Sequence, residues 1–309
     1  MLTWELLGAV VGAGLASGRE IASFFACYGP WSFLGIVLAI TLMCALSAAK
    51  MPSSWQGRWP EKAWRAMLDA LLLATGGAML AGAGTVASLM LPVHGAGAAG
   101  MGVTLLLANV LARHTRTGLS CVSRIMLILL GAMIFCGIFL PPMKAASVAP
   151  ADPAQALMKG AAYGGFNASL QASILMRTKD NAVRKRAVRR AGIILAVVLM
   201  MGNVVLLRHS ALRDVPMPFV RMLARFGRIG YALGGLAMYL AILSTLTACL
   251  RGLRSGWGAA GIAAISLCGF SGVVERVYPV LGLCCCAMLC ALKFVNRNRG
   301  TFNSRANML

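Results

Sequence analysis

The sequence contains few acidic residues and few histidines. Its 309 residues include only 8 Asp and Glu and 3 His, against 29 Lys and Arg. His94, His114 and His209 are far apart, the 10 cysteines form no Cys-x-x-Cys pair, and no nucleotide-binding loop or catalytic triad is present. These absences give little support to a zinc protein, a disulfide-stabilised domain or an enzyme.

Charged residues of either sign are also scarce, at 12% of the chain, whereas 59% is hydrophobic. In a soluble protein a net charge of +21 would suggest binding to nucleic acid. Here the basic residues occupy short gaps between apolar runs, as they do in proteins that cross a membrane several times. We therefore predict a lipid bilayer as the surrounding medium and no nucleic-acid partner.

Apolar runs long enough to cross a membrane dominate the chain. A transmembrane helix needs about twenty mostly apolar residues, and dividing the sequence at proline, glycine and charge gives an all-α integral membrane protein with ten spans. The predicted spans are 4–27, 31–49, 66–91, 95–112, 118–140, 154–176, 188–207, 227–250, 256–273 and 277–294.

The basic residues also predict the orientation. Most of them fall in alternate gaps, after spans two, four, six and eight, and in the C-terminal tail. This bias predicts that both termini are cytoplasmic, in a bacterial cytoplasmic (inner) membrane. The one long external segment, 208–228, alternates apolar and basic residues after Pro218 and predicts a short amphipathic helix on the outer face.

Two glycine-rich segments suggest an internal repeat. GAVVGAGLASGREI lies in the first span and GAAYGGFNASLQASI in the sixth, and each starts a block of five helices. Because five is odd, the second block enters the membrane from the opposite side, so residues 1–145 and 146–309 would form inverted repeats within a single transmembrane domain.

The first of these segments predicts a break in a membrane helix. Glycines crowd residues 11–18, and Ser17, Arg19 and Glu20 follow within apolar surroundings. Backbone groups left unpaired at membrane depth need a cavity or a ligand, so a break would mark a binding site. The alternative is that Gly8, Gly12, Gly14 and Gly18 only let neighbouring helices approach closely.

The sixth span predicts a second break, beside hydrogen-bonding side chains. Gly164 and Gly165 lie between Tyr163 and Asn167, with Ser169 and Gln171 further on. Ends of broken helices are suited to binding charged groups. A tight glycine contact with an interhelical asparagine hydrogen bond would explain the same pattern.

Polar residues in two other places could serve ion coupling or gating. Ala241, Ser244 and Thr245 share a face of span eight, where one carbonyl and two hydroxyls suit Na⁺, although such hydroxyls also bond within their own helix or to a neighbour. Arg19 and Glu20 are the candidates for gating or proton coupling, and local pairing of Glu20 with an arginine is the alternative.

At VVGAGLASGREIASFF, residues 10–25, the chain resembles the YkvI-like family of bacterial membrane proteins, within the amino acid, polyamine and organocation superfamily that shares the LeuT fold. The resemblance implies carbonyl ligands for Na⁺ at Gly8 and Val11, completed by Ala241, Ser244 and Thr245. It also implies a substrate site between the broken segments, at Gly12, Ala13, Gly14, Tyr163, Gly164, Gly165 and Asn167, to which we add the nearby Ser17.

These observations predict a secondary transporter, and not an enzyme, for a small polar solute such as an amino acid or amine. Alternating access would be driven by Na⁺ or H⁺, with no other cofactor and no metal other than Na⁺. The alternative hypothesis is a non-transporting membrane sensor or assembly partner that keeps the transporter fold. A membrane-embedded lipid enzyme would need clustered acid, base or phosphate-binding residues, which the sequence does not show.

Overall fold

The computed structural model describes residues 2–47, 59–91, 93–114, 117–144, 152–176, 178, 180–215, 217–253 and 257–306, and in this part of the chain it contains helices and no strands. The α-helices are α1 (Leu2–Val10), α2 (Ala13–Ser17), α3 (Arg19–Phe24), α4 (Ser32–Leu46), α5 (Trp59–Met90), α6 (Ala96–His114), α7 (Thr117–Phe139), α8 (Pro153–Leu175), α9 (Asn181–Arg208), α10 (Pro218–Leu223), α11 (Gly227–Gly252), α12 (Gly258–Ser266), α13 (Phe270–Gly272) and α14 (Tyr278–Ala306).

Seven helical segments of the described chain are long and apolar enough to cross a membrane. They correspond to predicted spans two, three, four, five, seven, eight and ten. The first predicted span is divided into short pieces, the sixth (α8) carries Lys159, Asn167 and Gln171, and the ninth is too short. The molecule is thus a multi-pass all-α membrane protein, and the structure does not confirm the predicted count of ten.

The predicted ninth span, 256–273, is wrong as a single helix. Its helical part, α12, contains nine residues, and the chain then turns at Gly269, where φ is +77°. Helix resumes at Phe270 and continues through a π-helical turn, Val273–Val277, into α14. Residues 48, 49, 145, 146 and 256, which include three predicted boundaries, lie outside the described residues.

Helix α8 is continuous from Pro153 to Leu175, so the predicted break in the sixth span is wrong. Its glycines instead let the helix pack closely. The Gly160 backbone lies against that of Gly35 in α4, and a Cβ added at Gly164 would lie 2.7 Å from the Ala39 carbonyl oxygen. Gly165 faces the opposite neighbour, α14, at the Gly282 carbonyl. Helix α8 is therefore held between α4 and α14.

The first predicted span is broken, as its glycines indicate. Helix α1 ends at Val10, α2 begins at Ala13, and Gly18 separates α2 from α3. Gly18 has φ +83°, a conformation that a residue with a Cβ rarely adopts. Three short helical pieces therefore replace one membrane helix.

The segment between α9 and α11 contains the predicted amphipathic helix. Helix α10 buries Phe219, Val220, Met222 and Leu223 against its neighbours, while the Arg221 and Arg225 side chains are exposed. Phe226, an apolar residue later in the same alternating segment, is 53% exposed. The helix packs on α11, α7 and α2, and so brings the segment to the broken first helix.

Candidate functional site

The break in the first helix leaves buried backbone groups without the hydrogen bonds of a continuous helix. Gly12 has an extended backbone (φ −89°, ψ −171°), and its N–H group donates to the Val10 carbonyl at 3.0 Å. The Ala13 N–H donates to the Met79 sulfur at 3.2 Å. A thioether is a weak acceptor, so this donor at the start of α2 is poorly satisfied compared with an ordinary helical N–H group.

Thr245 of α11 bonds to the end of the first helix just before the break. Its hydroxyl donates to the Gly8 carbonyl at 3.1 Å and approaches the Val11 carbonyl at 3.5 Å. Thr245 is 1% exposed, and its Oγ1 would lie 3.3 Å from a Cβ added at Gly12. The structure therefore places three predicted ion-site residues, Gly8, Val11 and Thr245, in contact.

Ser244, beside Thr245, completes the predicted oxygen set. Its hydroxyl donates to the Ala241 carbonyl at 3.0 Å, within the same helix. The two hydroxyls thus differ, because Ser244 bonds to its own helix and Thr245 bonds across to the first helix. Both are buried, and the Ser244 hydroxyl also lies 4.0 Å from the Met126 sulfur of α7, whereas the contacts with the Gly8 and Val11 carbonyls are made by Thr245.

The Glu20 side chain lies against α2, the short helix that follows the break. It is 4% exposed, and its carboxyl group fills the space beside Gly14 that a Cβ on that glycine would occupy. Gly14 is therefore required for the position of the Glu20 side chain. Ser17 stabilises the same turn by donating to the Gly14 carbonyl at 3.1 Å and accepting the Arg19 N–H at 3.2 Å.

Tyr163 and Asn167 of α8 face this acid. The Tyr163 hydroxyl lies close to both Glu20 and the Asn167 side chain but forms no well-aligned hydrogen bond with either. The Asn167 amide donates to the Tyr163 carbonyl at 3.0 Å, within α8, and among the described residues its Oδ1 atom has no hydrogen-bond partner. Both residues are fully buried.

Gly164 and Gly165 are placed differently from the other predicted substrate residues. They contact α4 and α14, as described above, and the backbone between them is helical. The predicted asparagine hydrogen bond between helices is also absent, since Asn167 bonds within α8. Tyr163 and Asn167 come to the break, whereas the two glycines set the position of the helix that carries them.

Arg19 does not pair with Glu20, although the two are adjacent in sequence. Its guanidinium forms an ion pair with Glu275 in the π-helical turn before α14. It also donates to the carbonyls of Arg213 and Val215, at 2.8 and 3.4 Å. These contacts join α3, the segment before α10, and α14 across one end of the site.

Three residues at the site were absent from the prediction: Met79, Glu275 and Tyr278. Tyr278 is 1% exposed, interacts electrostatically with Glu20, and lies near Thr75. Glu275 had a recognisable signal, because it is the only acidic residue after Asp214. Met79 had none, since a methionine in an apolar helix usually belongs to the core.

Known proteins similar to this chain include a bacterial membrane protein and a solved transporter. No family model matches it. It is 24% identical to the uncharacterized membrane protein YkvI of Bacillus subtilis (strain 168), over 330 aligned positions that cover 94% of each chain. It also aligns with a manganese transporter from Eremococcus coleocola, solved with an aromatic bis-isothiourea compound. That alignment has 13% identity and a TM-score of 0.45, and it covers 98% of this chain and 73% of the other.

Proposed function

We propose that the protein is a secondary transporter for a small polar solute, working by alternating access. One observation carries the proposal: a buried break in the first helix, with the Gly8 and Val11 carbonyls directed at Thr245 of another helix. Irregular backbone inside a membrane is tolerated where it lines a cavity or binds a ligand. Transporters use such breaks to bind solutes and ions near the middle of the bilayer.

The oxygen set between α1 and α11 is the proposed coupling-ion site. Carbonyls of Gly8, Val11 and Ala241 and the hydroxyls of Ser244 and Thr245 are hard, uncharged ligands of the kind that bind Na⁺. In the structure the Thr245 hydroxyl satisfies the carbonyls of the first helix. An ion would take over that role and join the end of α1 to α11.

The proposed solute site lies on the other side of the break. It comprises the backbone of Gly12, Ala13 and Gly14, the Ser17 turn, and the side chains of Glu20, Tyr163 and Asn167. Gly164 and Gly165 contribute through the close packing that positions α8. The weakly bonded Ala13 N–H is a donor that a solute oxygen would satisfy better than the Met79 sulfur does.

Arg19 and Glu275 form the proposed gate at one end of this site. Breaking their ion pair, together with the bonds from Arg19 to the carbonyls of Arg213 and Val215, would free α3 from the segment before α10 and from α14. Movement of the first helix against the rest of the bundle would then open the break at that end.

The proposal includes a full fold of ten spans in the bacterial cytoplasmic membrane, with both termini cytoplasmic. The three segments missing from the seven apolar spans are α1 to α3, α8 and α12. The pieces α1 to α3 are interrupted and α8 is polar, as expected of helices that line a site and face protein more than lipid, whereas α12 is short and packs on α5. Inverted repeats at 1–145 and 146–309 complete the proposed LeuT-type arrangement.

Two measurements test the proposal. The first is the thermal unfolding midpoint of the purified protein in Na⁺ compared with K⁺, and at two pH values, because a ligand that binds only the folded state raises that midpoint. The second is the uptake of pooled labelled amino acids and amines by proteoliposomes under a Na⁺ or proton gradient. Gradient-driven uptake supports a transporter, whereas saturable binding without flux would identify a sensor or assembly partner instead.

A further inference from the structure

A groove lies on the surface of the helix bundle, between the start of α1 and the first half of α9. Its volume is about 270 Å³, and it is lined by Thr3, Trp4, Arg190, Ile193 and Ile194. Helices α1 and α9 pack on one another, and α7 packs on both. None of the five lining residues belongs to the proposed ion site or the proposed solute site, so the groove is a separate feature.

Two guanidinium groups give the groove a positive charge. Arg190 lines it directly, and the Arg124 guanidinium of α7 lies 5.3 Å from the centre of the Trp4 ring, which forms one wall. Both arginines are exposed, and within the described part of the chain neither forms an ion pair. Glu5, the nearest acid along α1, is not among the lining residues. A negatively charged group would therefore meet cations and no carboxylate of the groove itself.

Apolar side chains continue from the charged end of the groove along α9. Ile193 follows Arg190 by three residues, on the same side of the helix, and is 60% exposed. Val197, Met201 and Val204 are also exposed, and steps of three or four residues keep them on one face with Ile193. This face of α9 presents a positive charge at one level and an apolar track beyond it. A molecule with an anionic head and a hydrocarbon tail has the matching arrangement.

The polar residues at the charged end suit a phosphate group at a membrane surface. A guanidinium binds phosphate through paired, charge-assisted hydrogen bonds, and the Thr3 hydroxyl adds another donor. Tryptophan is enriched at the boundary between lipid headgroups and hydrocarbon, which is where Trp4 would lie beside Arg124. Basic pockets between membrane helices are known binding sites for anionic lipid headgroups.

From this arrangement we propose that the groove binds an anionic phospholipid, with the phosphate at Arg190 and Arg124 and an acyl chain along the exposed face of α9. The inference goes beyond the proposed function and does not depend on transport. A zwitterionic lipid would bring its ammonium group towards the same arginines and should bind less well. Because α1 forms one wall, a bound lipid would join the start of the first helix to α9.

The test counts lipids bound to the full-length protein by native mass spectrometry in detergent. The probes are phosphatidylglycerol and phosphatidylcholine with identical acyl chains, so that only the headgroup differs. We expect saturable binding of one phosphatidylglycerol per chain, a higher unfolding midpoint in its presence, and little binding of phosphatidylcholine. Glycerol 3-phosphate, which has the phosphate without the chains, should leave the midpoint unchanged at the same concentration.

Three variants locate the bound lipid. Arg190→Gln and Arg124→Gln should each weaken phosphatidylglycerol binding about fivefold, the effect of losing one arginine contact with an anionic lipid. Arg189→Gln is the matched control, because it removes the same charge from an exposed residue of α9 that does not line the groove. Ile193→Trp keeps both arginines and fills the groove with a larger apolar side chain, so it should also weaken binding.

Several results would overturn the proposal. Equal binding of the two lipids would show that the headgroup charge is not recognised, and an equal loss in Arg189→Gln and Arg190→Gln would mean diffuse attraction to a basic surface. A midpoint raised as much by glycerol 3-phosphate would indicate a site for a free anion. A lipid-free dimer that Ile193→Trp dissociates would assign the groove to a second copy of the chain. Solute uptake is measured separately, so that failure of the transporter proposal leaves this result unaffected.

Discussion

The Thr245 hydroxyl in α11 donates to the Gly8 carbonyl in α1 across 3.1 Å, joining two helices separated by more than two hundred residues of sequence. Gly8 and Val11 lie just before the break, where carbonyls lose the regular pairing of a continuous helix. A buried carbonyl without a donor is costly. Thr245 therefore stabilises the break as well as marking the proposed ion site.

Thr245→Val should lower the free energy of unfolding by about 1–3 kcal/mol, because the Gly8 carbonyl loses its donor while the volume is kept. It should also abolish any stabilisation by Na⁺. Thermal unfolding in Na⁺ and in K⁺ measures both effects. Thr247→Val is the matched control, since Thr247 donates only to Leu243 within its own helix. A Na⁺ response that persists in Thr245→Val would remove Thr245 from the ion site.

Gly14→Ala should destabilise the protein by about 1–3 kcal/mol, because the added methyl group would occupy the space of the Glu20 carboxyl. Binding at the central site should weaken with it. Gly102→Ala is the control in α6, where a Cβ meets nothing within 4 Å and helix propensity predicts a gain of about 0.5–1 kcal/mol. Equal unfolding midpoints for the two variants would contradict this packing of Glu20.

Arg19→Met should cost more stability than Glu275→Gln. Loss of Arg19 leaves the Arg213 and Val215 carbonyls without their donor, at about 1.5–3 kcal/mol for bonds to a charged group. The Glu275 side chain is 41% exposed, so its loss should cost about 1 kcal/mol or less. Unfolding at low and high salt checks the order: the ion-pair part of both effects should shrink with salt, whereas the part of the Arg19→Met effect that comes from the two carbonyl bonds should remain.

Gly164→Ala should lower stability by about 1–3 kcal/mol, because the new methyl group would lie 2.7 Å from the Ala39 carbonyl oxygen and force α8 away from α4. Unfolding in mixed micelles provides the measurement. Gly131→Ala in α7, where a Cβ has open space, should be neutral or stabilising. An unchanged midpoint for Gly164→Ala would mean that the helices are not in close contact there.

The sequence by itself determined the features that depend on local composition. Apolar runs predicted most of the spans, because a helix needs about twenty apolar residues to cross a bilayer. The glycines of residues 11–18 predicted the break, because few other residues fit the backbone conformation and the close contacts found there. The alternation of apolar and basic residues after Pro218 predicted α10, because the position of a residue around a helix decides whether its side chain is buried.

Only the tertiary structure decided what each polar or glycine residue contacts. Gly164 and Gly165 resemble the glycines of a broken helix, but α4 and α14 lie close enough to explain both, and α8 stays continuous. Arg19 could have paired with its neighbour Glu20, yet it pairs with Glu275, 256 positions away, and in the described part of the chain Glu20 has no ion pair. Sequence patterns describe one helix at a time, whereas the partners of a buried group are set by which other helices pack against it.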